Sequence, residues 1–304
     1  MENNCCFVCS RGLLKSTDFH SPNPMSSCGG NMQYLVEMLN SDKMFDGMSI
    51  YVCSELMSFF VGSILPDIKN TFVLVSGDSD RTVPMEILSE FECLTLINNP
   101  YFLKWFAQNT PVNDHPKIIQ MPIGLDYHTI SNNPNHHWKM NEEGHSPIEQ
   151  EGTMINIQLK MKLFFERIPK IYINFSMGND KFKHRKTAMD QIPIELMEIR
   201  QEFSPRTVIW NNFTEYSFVL SPFGMGMDCH RTWEILCLGA IPIIKTSVFA
   251  NMFADLPVLM VNEWSDITEE LLQNTIREFK NRAFNYDKLT LQYWVKQIKC
   301  VDII

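Results

Sequence analysis

No stretch of the chain offers about 18 consecutive apolar residues, the length that a membrane-crossing helix needs. The N-terminus has no basic region followed by an apolar stretch and a cleavage site, so no secretory leader is expected. Positive charge is in deficit: 26 Lys and Arg stand against 35 Asp and Glu, a net charge of −9. An acidic chain is a poor general binder of nucleic acid or anionic membrane, so any phosphate it takes must be met by a local cluster. Internal repeats, low-complexity tracts and the P-loop lysine signature are all missing. The nine cysteines are odd in number, and Cys53, Cys93 and Cys237 sit inside apolar runs, a pattern of reduced core thiols rather than a disulfide framework. Cys5, Cys6 and Cys9 lie close together, but no second CxxC or His pair completes a zinc set. The expectation is a soluble, cytoplasmic protein with no membrane span and no nucleic-acid partner.

What is present is enough apolar content, 45% of 304 residues, for a large core and about two domains. Apolar, partly β-branched runs at 48–54, 71–77, 117–125, 170–176 and 257–261 read as buried strands, as do YSFVLS and AIPIIK. CCFVCSRGLL at 5–14 reads as a first strand entering a loop, and TVIWNN as a further strand. MQYLVEMLN, MEILSEF, YFLKWFAQN and MINIQLKMKLFFERI read as helical, as does part of TAMDQIPIELMEI. DITEELLQNTIREFKNRAF is a helix with Ser265 or Asp266 as its cap, and LTLQYWVKQIKCV is a second amphipathic helix. Strands alternating with helices imply an α/β protein with mostly parallel sheets. Residues 131–151 are polar, carry two prolines and lack periodicity, so they read as the link between two domains, 1–150 and 151–282. The helix within 283–304 is expected to pack back on the first domain.

Chemistry concentrates in four places. Tyr216–Lys245 reads as strand, glycine loop, helix and strand. Ser221, Pro222, Gly224 and Gly226 form a loop whose backbone allows close approach of a ligand, and Asp228 is placed to cap the helix. A helix N-terminus there suits a phosphate. His230 and Arg231 lie at that terminus, and Arg231 and Glu234 share a face. The guanidinium forks onto phosphate oxygens, and the carboxylate accepts from paired hydroxyls. The blander reading is a plain strand–loop–helix with a surface Arg–Glu pair. Second, Asn174-Phe175-Ser176 precedes KFKHRK at 181–186, the densest basic run of the chain, from which Arg185 is singled out. Third, Asp78 and Asp80 follow an apolar strand, where one can serve as a general base. Turn chemistry or an Asp-x-Asp metal site are the alternatives. Fourth, Asp126 and His128 stand at another strand end and are candidates for the acceptor side or cleft, or for structural roles.

"SPFGMGMDCHRTWEILCLGAIPII" resembles the exostosin family of glycosyltransferases. "VLVSGDSD", "KWFAQN", "IIQMPIGLDYH", "INFS" with Arg185 downstream, and "LPVLMVNEWSDIT" follow the same order over about residues 71–270. The compact form is most similar to short viral, xylosyltransferase-type members. Ala240, where the family often has Cys, is a departure. The resemblance implies a GT-B architecture, two Rossmann-like domains facing a central cleft, with the acceptor mainly in the first and the nucleotide sugar mainly in the second. It implies inverting transfer from a nucleotide sugar, a UDP-sugar such as UDP-xylose, to a glycan or glycoprotein hydroxyl, without a catalytic metal or other cofactor. Carried over by position, Glu234 binds the donor ribose and Arg185 and Arg231 face the diphosphate. Ser176, Ser221, Pro222, Gly224, Gly226 and His230 belong to the same donor side, and Asp78 or Asp80 is the base. A non-catalytic nucleotide-sugar or glycan-binding module and a metal-dependent Asp-x-Asp transferase are the rival readings.

Overall fold

The computed structural model describes residues 2–21, 32–111, 115–133, 135–138, 144–178, 180–200, 204–248 and 250–300. The chain divides into two compact units. The first holds Glu2–Asn4, Val8–Ile123 and the segment from Thr290; the second holds Gly124–Leu289 with Cys5–Phe7. The division at Ile123/Gly124 falls earlier in the chain than the expected boundary at 150. The prolonged polar stretch that suggested that boundary runs into a helix opened by a Ser146–Glu149 capping box.

In the first unit, α1 (Ser10–Leu14) and α2 (Gln33–Leu39) precede β1 (Met48–Cys53). The short α3 (Met57–Phe59), β2 (Phe72–Gly77), α4 (Glu90–Ile97), β3 (Phe102–Ala107) and β4 (Ile118–Gln120) follow. The sheet is parallel throughout, in the order β1-β2-β3-β4. Every residue of β1 and β2 is buried, which explains their continuous apolar reading. Their core includes Leu35, Met38, Ile50, Phe60, Phe72, Leu74 and Trp105. Three expectations change here. Residues 5–14 supply a short helix, α1, instead of a strand. MEILSEF is turn until Ser89 caps α4, accepting from Glu92 N at 3.3 Å. KWFAQN is strand β3 rather than helix, because Trp105 pairs with Leu74 on one side and Ile118 on the other. Its indole N–H donates to Ser76 Oγ at 2.8 Å, which satisfies the one polar atom of a fully buried ring.

The second unit runs α5 (His128–Asn132), α6 (Pro147–Gln158), β5 (Ile168–Ile173), α7 (His184–Gln191) and β6 (Met197–Ile199). It continues with α8 (Arg206–Glu215), β7 (Tyr216–Leu220), α9 (His230–Cys237), β8 (Ile241–Lys245), β9 (Leu259–Val261) and α10 (Glu269–Lys280). The last helix, α11 (Leu291–Lys299), belongs to the first unit. The second sheet is also parallel, in the order β6-β5-β7-β8-β9. The protein is therefore α/β, with two parallel-strand sheets of four and five strands, compatible with Rossmann-like folding. TVIWNN is α8 and not a strand: Arg206, Trp210 and Phe213 recur at helical spacing and are the buried residues of that helix. The cap of α10 is Thr268, whose hydroxyl accepts from Leu271 N at 3.1 Å; Asp266 instead accepts from Glu263 N in the preceding turn. Among the described residues no helix is long and apolar enough to cross a membrane.

The strand order of the second sheet fixes where a ligand can sit. The chain leaves β5 toward β6 on one side, then returns to place β7 on the other. Between the carboxyl ends of β5 and β7 lies a topological switch point, the place where open parallel sheets leave a crevice for ligands.

Candidate functional site

Both loops at that switch point carry residues singled out by the sequence. After β5 come Asn174, Phe175 and Ser176; after β7 come Ser221, Pro222, Gly224 and Gly226. Ser221 is buried and its hydroxyl shares a hydrogen bond with Thr232 Oγ1 at 2.9 Å, tying the end of β7 to α9. Asp228 does not cap α9. Its Oδ1 accepts from the Trp233 indole at 2.9 Å, and Cys229 is the N-cap residue without a side-chain hydrogen bond to the helix. The first N–H groups of α9 are thus not consumed by a side-chain cap. At the other end, Gly239 turns the chain with φ +68, and Arg167 donates to Leu238 O at 3.0 Å. Trp233 and Cys237 face the core, as their spacing suggested.

Arg185 and Arg231 come together over this loop. Arg185 donates to Ser176 O and lies 5.5 Å from the Phe175 ring. Arg231 donates to Asn174 O and lies 5.9 Å from the same ring and 5.6 Å from Phe213. Asp180 accepts from the backbone N–H groups of Arg185 and Lys186 at 3.2 and 3.1 Å, which fixes the start of α7. Lys181, Lys183 and Lys186 are exposed, in keeping with a solvated run. Burial lowers the pKa of both guanidiniums. For Arg231, burial and the neighbouring Arg185 outweigh the Glu234 carboxylate, bringing the group down to about 10, still cationic at neutral pH. Arg185 Nε and Arg231 Nη1 are buried and make no hydrogen bond. Two guanidiniums with unspent donors at one place cost free energy unless an anion meets them. Gly224 leaves the room: a Cβ there would stand 2.8 Å from Arg185 Nη2.

Glu234, one turn along α9 from Arg231, is 8% exposed. Its carboxylate lies 3.6 Å from Arg206 Nη2 and accepts no hydrogen bond among the described residues. Asp126 and His128 belong to the same unit. Asp126 Oδ1 lies 3.2 Å from His128 Nδ1 and accepts from Thr129 N at 2.9 Å, while Oδ2 lies 3.4 Å from Arg206 Nη2. His230 Nδ1 lies 2.7 Å from Gly124 O, and the rings of His128 and His230 meet edge to face at 5.6 Å. Burial alone would raise the Asp126 pKa; its interactions with His128, Arg206 and His230 and the Thr129 N–H outweigh it and hold the carboxyl well below the usual range. Asp126, His128 and His230 each offer one ligand atom within 4.8 Å of one another. The Arg206 guanidinium already supplies a cation to that carboxylate, so the cluster is balanced by protein charge.

Arg206 is not marked by the sequence, in which TVIWNN reads as a strand. Its signal was the helical spacing to Trp210 and Phe213. Asp78 and Asp80 lie in the first unit. Asp78 is buried with φ +64, its N–H donates to Gln108 Oε1 at 3.1 Å, and Arg11 Nε stands 3.9 Å from its carboxylate. Asp80 is exposed. Compared with known protein-family models and with curated proteins, the chain matches neither.

Proposed function

We propose that the switch point of the second unit binds a nucleoside diphosphate sugar and that the protein is an inverting glycosyltransferase of GT-B architecture. The observation that carries this reading is the pair Arg185 and Arg231, each with a buried donor left unspent, beside the uncapped start of α9 at the β5/β7 switch point. A diphosphate is the ligand that satisfies all three. Glu234 lies one helical turn further, where a ribose attached to that diphosphate offers hydroxyls to its carboxylate. UDP is the nucleotide of choice and UDP-xylose a fitting donor, on the exostosin-like motifs. In transfer, the acceptor oxygen attacks the anomeric carbon, its proton passes to a carboxylate base, and the bond from that carbon to the diphosphate breaks. The two guanidiniums and the helix N-terminus take up the charge that grows on the leaving diphosphate. Asp78 or Asp80 is the candidate base on the exostosin-like motifs alone.

A thermal-shift panel of UDP- and GDP-sugars tests the reading. A ligand bound to the folded state raises the melting temperature by mass action, so one nucleotide series should stand out. A flat panel would refute it. Binding without transfer to any glycan acceptor would favour a non-catalytic module, and transfer abolished by EDTA would favour the metal-dependent alternative. Gly224→Ala gives a finer check. The added Cβ displaces the far end of the flexible Arg185 side chain rather than the backbone. The variant should therefore melt like wild type but bind UDP about tenfold more weakly, the loss of roughly one charge-assisted hydrogen bond, as read by calorimetry.

A further inference from the structure

Arg206 is 4% exposed and held on every side. Its Nη1 donates to Asp126 O and, at 3.3 Å, to Gln150 Oε1, while Nη2 lies 3.4 Å from Asp126 Oδ2. The guanidinium lies 4.8 Å from the Trp138 ring and 5.6 Å from that of Trp210, and its backbone N–H donates to Trp138 O at 3.0 Å. A guanidinium this constrained cannot follow a moving partner, so the partner takes its position from it. That partner is Glu234, whose Oε1 lies 3.6 Å from Nη2. The Glu234 carboxylate is nine-tenths buried yet accepts no hydrogen bond among the described residues. A carboxylate held in place with no protein donor on its oxygens is free to accept from a ligand that brings hydroxyl donors.

We propose that Arg206, anchored by Asp126, is the positioning residue that orients Glu234 toward a vicinal diol, and that this makes the site select ribonucleoside diphosphates over their 2′-deoxy counterparts. The inference rests on the nucleotide-sugar reading above and adds to it a residue and a selectivity. A 2′-deoxyribose leaves one carboxylate oxygen without its donor, and a site built to hydrogen-bond a hydroxyl rejects the analogue that lacks it. Arg206 acts through Glu234 and does not itself touch the ligand.

The test is calorimetric titration of the full chain with UDP and with 2′-deoxy-UDP. Wild type is expected to prefer UDP by about tenfold or more, the range of a hydrogen bond to a charged group. Glu234→Gln and Arg206→Lys should each bring the ratio to within about threefold, and the double variant should lower it no further, since both changes remove one interaction. A merely structural role for Arg206 would weaken both nucleotides alike and leave their ratio unchanged. If Arg206→Lys fails to fold, Asp126→Asn, which keeps the side-chain shape but removes the anchoring charge, should show the same loss of selectivity. Full selectivity in a folded Arg206→Lys or Asp126→Asn protein, with selectivity lost in Glu234→Gln, overturns the role of Arg206 and leaves the nucleotide-sugar reading standing. Failure of wild type to bind either nucleotide overturns both.

Discussion

Arg231→Ala is expected to lower sugar transfer by roughly 10²- to 10³-fold, the usual loss when one preorganised donor to a developing charge is removed. The side chain is placed for such a role. It leaves the first turn of α9, donates to Asn174 O at the end of β5, and keeps a buried Nη1 without a hydrogen bond. Phe175 and Phe213 pack near its guanidinium and limit its freedom. Burial has brought its pKa down to about 10, so the cation survives at neutral pH but is poorly hydrated, and an arriving diphosphate gains most from such a group. Arg185→Ala should act in the same direction, and the two losses should not add, because both side chains face one anion. Steady-state release of UDP from the preferred donor reads both variants. Wild-type turnover in Arg231→Ala would remove the basis of the assignment.

The largest expected effect on stability belongs to Asp126→Ala. That carboxylate is 4% exposed and faces Arg206, which is equally buried, so its removal takes away the nearer of the two carboxylates on that guanidinium and leaves only Glu234 at 3.6 Å. Breaking such a pair from one side costs about 3–5 kcal/mol. The folded pKa of Asp126 lies below its unfolded value of about 4. The stabilisation it brings is therefore present above that value and disappears as pH falls through the lower, folded value. Wild type should lose stability on acidification below about pH 4. Asp126→Asn, which has no charge to lose, should show a flatter acid limb in urea melts at stepped pH. Identical acid limbs would contradict the role given to this carboxylate.

The sheets were legible where both faces of a strand are covered. MSIYVC and FVLVSG are mostly apolar, broken only by Ser49 and Ser76, and buried along their whole length. Segments with one buried face were ambiguous. Trp105 and Phe106 sit in a strand although their neighbours allow a helix, because sheet pairing with Leu74 and Ile118 decides the matter. Trp210 and Phe213 sit in a helix although Val208 and Ile209 favour a strand, because Arg206, Trp210 and Phe213 together fill one buried face. In the candidate site, the loop glycines, Arg185, Arg231 and Glu234 could be picked out because their chemistry follows local spacing. Arg206 could not. Its partners Asp126, Gln150 and Glu234 are distant in sequence, and only folding of the second unit brings them to one guanidinium. The switch point itself was equally hidden, since strand order is a property of the folded sheet.

The central claim is that the guanidinium pair at the β5/β7 switch point holds the diphosphate of a sugar donor. Its most direct test is nucleotide release by the wild-type chain from a panel of UDP- and GDP-sugars mixed with glycan acceptors. The account predicts release of UDP from one donor, matched mole for mole by glycosylated acceptor. No acceptor-dependent release from any donor in the panel would contradict it.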